Sequence, residues 1–70
     1  MPRKVRDLKA DLGKSGAVWR PGKGSHSVWT HPRLLDAQLT LSGNDGDDAQ
    51  RYQEKDVREF LAKIDAARRE

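Results

Sequence analysis

The stretch Gly22-Lys23-Gly24-Ser25-His26 gathers the groups in this chain best suited to chemistry. Two glycines let a backbone approach a ligand closely, and amides exposed in such a turn can bind a phosphate oxygen. Lys23 adds a point charge and Ser25 a hydroxyl donor. An imidazole ordinarily titrates near ~6.5, so His26 can take up and release a proton close to neutrality. These parts suit RNA cleavage, because RNA carries its own nucleophile in the ribose 2′-hydroxyl. The catalyst has to remove that proton, stabilise the charge of a phosphorane-like transition state and help the 5′-oxygen depart. No metal or other cofactor is required. On spacing alone, the same residues also describe an ordinary hairpin with an exposed histidine.

Other assignments are narrower. The turn lacks the Gly-Lys-Ser/Thr ending of a phosphate-binding loop, which argues against ATP or GTP. Ser25 and His26 are adjacent, so on a strand they point to opposite faces and make a poor nucleophile–base pair. Arg20 and Lys23 flank the turn and are the candidate phosphate contacts, with the Gly24 and Ser25 backbone beside them. His31 lies five residues after His26 and faces the other way on a regular strand, so it is an auxiliary candidate or a strand-end residue. Trp19 and Trp29 can stack on unpaired bases, but a chain with so few large apolar residues needs at least one of them in its core. Arg3, Lys4, Arg6 and Lys9 read as a general electrostatic field.

Seventy residues allow one domain, spanning 1–70, and no cysteine is present to staple it. A chain of this size buries only about 60% of the surface it exposes when unfolded, so a partner covering one face would help it. No apolar stretch approaches the ~20 residues of a membrane span, and the charged N-terminus lacks a signal peptide's apolar segment, so a cytoplasmic location is expected. Charge is unevenly placed. Residues 1–33 hold eight Lys/Arg against two acids, +6, and residues 34–70 hold six against nine, −3. The basic half is where a polyanion would dock.

The elements that must position these residues follow from periodicity. Val5, Leu8 and Leu12 form one stripe of a helix near 3–15, with Gly16 in the left-handed position past its last turn. Residues 17–20 predict a strand, Pro21 to Gly24 a turn, and His26 to His31 a second strand that Pro32 stops. Arg33 to Ala37 is expected to turn the chain before a third strand over 38–42. Residues 43–48 are expected to form a solvated acidic loop, since their spacing does not match a calcium loop. Val57, Phe60, Leu61 and Ile64 mark a last helix, with Gln53 as its cap and Tyr52 stapled to Val57 outside it. The fold class is α+β in the order α-β-β-β-α, an antiparallel three-stranded meander with both helices on one face.

With these residues in view, the chain resembles the HicA family of mRNA interferase toxins. The resemblance rests on Lys4-Val5-Arg6-Asp7-Leu8, the helix ending at Gly16, Lys23-Gly24-Ser25-His26, and His31-Pro32, and it spans nearly the whole chain. It implies a fold like the double-stranded-RNA-binding domain and ribosome-independent cleavage of mRNA. It also implies catalysis by the histidine of Gly-Ser-His, here His26, and a HicB-type antitoxin partner that covers the active site in a heteromeric complex. Family members commonly carry a second histidine where this chain has Ser27. The last helix lacks the lysine cluster with which double-stranded-RNA-binding domains grip duplexes. A non-catalytic RNA-binding module is the alternative, and a toxin remnant kept for protein interaction a third.

Overall fold

The computed structural model describes residues 3–69, so Met1, Pro2 and Glu70 of the expected 1–70 domain lie outside the described residues. Helix α1 spans Val5–Lys14, strands β1, β2 and β3 span Val18–Pro21, Ser27–His31 and Leu34–Leu41, and helix α2 spans Arg51–Arg68. The strands form one antiparallel sheet in the order β1-β2-β3. The α-β-β-β-α architecture expected from periodicity is the one observed.

Both helical stripes bury against the same face of that sheet. Leu8 and Leu12 of α1 meet Val57, Phe60 and Ile64 of α2 over Trp29, Leu39 and Leu41. Leu61 packs at the margin of this core, half-buried. Along β2 the burial alternates, with Ser27, Trp29 and His31 inward and Val28 and Thr30 outward. The register then sets Val18, Arg20, Val28, Thr30 and Thr40 on the face that no helix covers.

The end of α1 follows from sequence. Gly16 adopts φ +91°, the Gly16 N–H donates to Gly13 and the Ala17 N–H to Leu12, the two bonds of a Schellman motif. The start of α1 depends on distant residues. Its first free amides, on Val5 and Arg6, donate to the carbonyls of Asp47 and Asp45 at 2.9 and 3.2 Å. The acidic segment is the exposed loop that was expected, and its backbone carbonyls also cap the N-terminus of α1. Lys4 and Lys9 pair with Asp48 and Asp45 at 2.5 and 2.7 Å, fastening the same segment from outside.

Several boundaries differ from expectation, among them the start of β2, which is Ser27 and leaves His26 in the connection before it. Strand β3 begins at Leu34, where residues 33–37 were expected to turn, because Pro32 and Arg33 alone make the connection and His31 pairs with Leu34. The register shifts between that pair and Trp29–Leu39, and Leu35 is thrown outward, 90% exposed. Such a bulged strand shows no alternation to read. Pro21 closes β1 opposite Ser27 and does not belong to the turn; it sits on an edge strand, where a missing N–H is tolerated. Helix α2 starts at Arg51 with Gln50 as cap, three residues earlier than the expected Gln53 cap. Gln53 is its third residue: Oε1 accepts the Gln50 N–H at 2.9 Å while Nε2 donates to the Ser42 carbonyl at 3.0 Å. Tyr52 is consequently inside the helix and 58% exposed, so it staples nothing.

Two substitutions separate core from cap. Leu12→Ala should cost about 2–5 kcal/mol, read as a lower urea midpoint. Asp45→Asn combined with Asp48→Asn should cost no more than about 2 kcal/mol, since these exposed pairs contribute little and the capping oxygens belong to the backbone. A larger loss in the double variant would show that the carboxylates carry the cap.

Candidate active site

His26 stands at the last position of the β1–β2 connection, exposed to solvent. The connection is tied at its base by the Gly22 N–H donating to the His26 carbonyl at 2.8 Å and the His26 N–H donating to Lys23 at 3.1 Å. Ser27 begins β2 facing the helices, so alternation turns His26 to the side of Val28, the uncovered face. Gly22 is needed opposite it: a Cβ there would lie 3.1 Å from the His26 Cβ and 3.3 Å from its carbonyl oxygen. The imidazole thus has a fixed backbone and an open approach.

The predicted phosphate contacts gather around it. Arg20 pairs across the sheet with Val28, which places it on the His26 face and diagonal to that residue. Lys23 and Gly24 are exposed, and Gly24 takes φ +63°. Among the described residues, the amides of Lys23, Gly24 and Ser25 donate to no backbone carbonyl, so they are available to an anion. The Ser25 hydroxyl oxygen accepts the Gly43 N–H at 3.2 Å, which ties the hairpin to the segment that caps α1. Ser25 keeps its own hydrogen for a ligand.

The auxiliary candidates are placed elsewhere. His31 is 7% exposed on the helix-facing side of β2, opposite to His26. Its Nδ1 accepts the Arg33 N–H at 3.1 Å, so Nε2 carries the hydrogen donated to the Ser15 carbonyl, 3.1 Å away. Arg68 of α2 donates to the same oxygen. His31 is a structural junction between α1, the β2–β3 turn and α2, and it cannot assist His26. Trp29 is buried and donates its indole N–H to Ser27 Oγ at 3.0 Å, so it is core and no base reaches it. Ser27, where the resembled family commonly has histidine, is equally buried.

The basic N-terminal half is partly neutralised by the fold. Arg3 pairs with Asp11, whose hydrogen bond holds the guanidinium above its ordinary pKa, and Lys4 and Lys9 pair with the capping segment. Arg20 and Lys23 take no part in an ion pair among the described residues. Arg6, Lys14 and Arg33 of the same half are likewise without an ion pair among the described residues, so the hairpin cations belong to a wider basic surface. None of the clefts along β3 and α2, such as the cavity of about 570 Å³ between Asp36–Thr40 and Asp56–Lys63, is lined by His26. The arrangement can seat an extended strand on an open surface, since His26 and its neighbours Arg20, Lys23 and Gly24 are all exposed.

The contrast between the two histidines is measurable. His26→Ala should leave stability within about 0.5 kcal/mol, as expected of an exposed residue outside the packing. His31→Ala should cost about 1–3 kcal/mol by leaving the Arg33 amide without its acceptor and the Ser15 carbonyl with Arg68 alone, read by chemical denaturation. Compared with protein-family models, with curated proteins and with solved structures, the chain matches none of them.

Proposed function

We propose that this chain is a HicA-type endoribonuclease toxin that cleaves mRNA by metal-independent transesterification and is neutralised by a HicB-type antitoxin. The observation that supports it is an exposed imidazole on the uncovered sheet face, beside unpaired Arg20 and Lys23 and the free amides of a glycine turn. The order of elements and the helices packed on one face agree with the double-stranded-RNA-binding-domain type of fold that the resemblance implies. A cytoplasmic site of action belongs to the same proposal. No helix among the described residues is long and apolar enough to cross a membrane.

In this reading His26 removes the proton from a ribose 2′-hydroxyl. The freed oxygen attacks the adjacent phosphorus, and the bond from phosphorus to the 5′-oxygen breaks. Lys23, Arg20 and the amides of Gly24 and Ser25 hold the non-bridging oxygens as negative charge builds on them. The departing 5′-oxygen takes a proton from water or from the same imidazole after it turns. The products are a 2′,3′-cyclic phosphate and a 5′-hydroxyl. The antitoxin would act by covering the uncovered face and the hairpin.

A second reading, a non-catalytic RNA-binding module, is favoured by one observation. Among the described residues, no side chain hydrogen-bonds to the His26 ring, so nothing holds it in a productive orientation before substrate arrives. The two readings part on one assay. Purified protein is expected to cut single-stranded RNA in EDTA and to leave a cyclic phosphate, while His26→Ala cuts about 10²–10⁴-fold more slowly. Equal cutting by both proteins would sink the catalytic assignment. Binding without cutting by either would establish the module instead.

A further inference from the structure

Trp19 and Tyr52 are the large aromatics that the core does not absorb among the described residues, and Trp19 is the one on the sheet. It lies in the middle of β1, an edge strand exposed along its whole length, and is itself 60% exposed. Across the sheet it pairs with Trp29, the ring centroids 6.2 Å apart and the planes tilted by 31°. Trp29 is immobilised by burial and by its bond to Ser27, so one side of the Trp19 indole rests on a fixed support. An aromatic ring held this way keeps a face for stacking without a large ordering cost. Cations flank it in sequence: Arg20 is the next residue and points to the opposite face of the same edge strand, and Lys23 follows in the turn. An aromatic on one side of an open edge and cations on the other fit a single-stranded nucleic acid passing over that edge better than an apolar protein surface, because every base has a face to stack and every nucleotide a phosphate to pair.

We propose that Trp19 is a stacking platform for an unpaired nucleobase, and that a single strand crosses the β1 edge between it and His26. The inference rests on the nuclease reading for the identity of the strand. Trp19 faces the helix side of the sheet and His26 the uncovered side. Gly22, which lies against His26, is three residues from Trp19, about 10 Å along the strand at ~3.3 Å per residue. Arg20 sits between them on the far side of the edge, where a phosphate passing over the strand would meet it. A duplex is too stiff to bend around a single edge strand and has no unstacked base to offer, so the platform selects single strands.

The test uses a short single-stranded RNA with 2′-fluoro sugars, which lacks the 2′-nucleophile and is not cut. Binding to the wild-type protein should quench its tryptophan fluorescence and shield it from acrylamide, with no substitution needed. Trp19→Val should bind the strand about tenfold more weakly, and Trp19→Phe within about threefold of wild type. Both variants are checked for folding by circular dichroism. Trp19→Phe should lose the quenching, since Trp29 is buried. Unchanged binding by Trp19→Val, quenching that persists in Trp19→Phe, or a duplex that binds as tightly as the single strand would each overturn the proposal. RNA cutting that is normal in Trp19→Val would overturn the platform and leave the nuclease reading standing. Trp19-dependent binding by a wild-type protein that cuts nothing would uphold the platform and remove the nuclease.

Discussion

Burial of Ser27, Trp29 and His31 beneath the two helices determines which way β2 faces, and every placement on the opposite side depends on it. A strand has a period of two, so a slip of one residue would send these three outward and bring Val28 and Thr30 in. The polar members of the inward set are also satisfied there. Ser27 accepts from Trp29 on the same strand, and His31 reaches the Ser15 carbonyl at the end of α1, a remote partner that a slip of the strand would take away. With β2 held in this way, His26 stands outside, and Arg20 stands with it.

Closure of the helices uses groups remote in sequence. The N-terminus of α1 is capped by carbonyls some forty residues downstream, and its last free carbonyl, on Ser15, receives His31 and Arg68. Gln53 caps its own helix and grips Ser42 at the end of β3. A short chain with a small core gains from such joints, because each adds a polar tie between elements whose shared apolar area is limited by the chain's length. They also consume charge. The cations at positions 3, 4 and 9 are occupied in ion pairs on the surface, while Arg20 and Lys23 on the hairpin take part in none among the described residues.

The hairpin couples to this frame through Ser25 and Gly43. Gly43 itself requires a backbone at φ +100°, and a Cβ there would press on Asp47, the residue whose carbonyl caps α1. The segment that closes the first helix therefore also steadies the turn carrying the imidazole. A site built on an edge hairpin gains access to long, flexible polymers and gives up the enclosure that small substrates need.

Local patterns of residue type were enough to determine the element order, both apolar stripes, the glycine stop at Gly16 and the grouping of Lys23 to His26. Each depends on spacing within a few residues, which a helix or strand converts directly into geometry. The start of β3 was hidden because its first residues bulge and do not alternate, and the cap of α2 because Gln50 is not a customary capping residue. The roles of His31, Trp19 and the acidic segment could be decided only in three dimensions. Whether a histidine is a junction or a base, a tryptophan core or platform, and an aspartate free or paired, depends on neighbours up to about forty residues away, which are brought close only when the sheet buries one face.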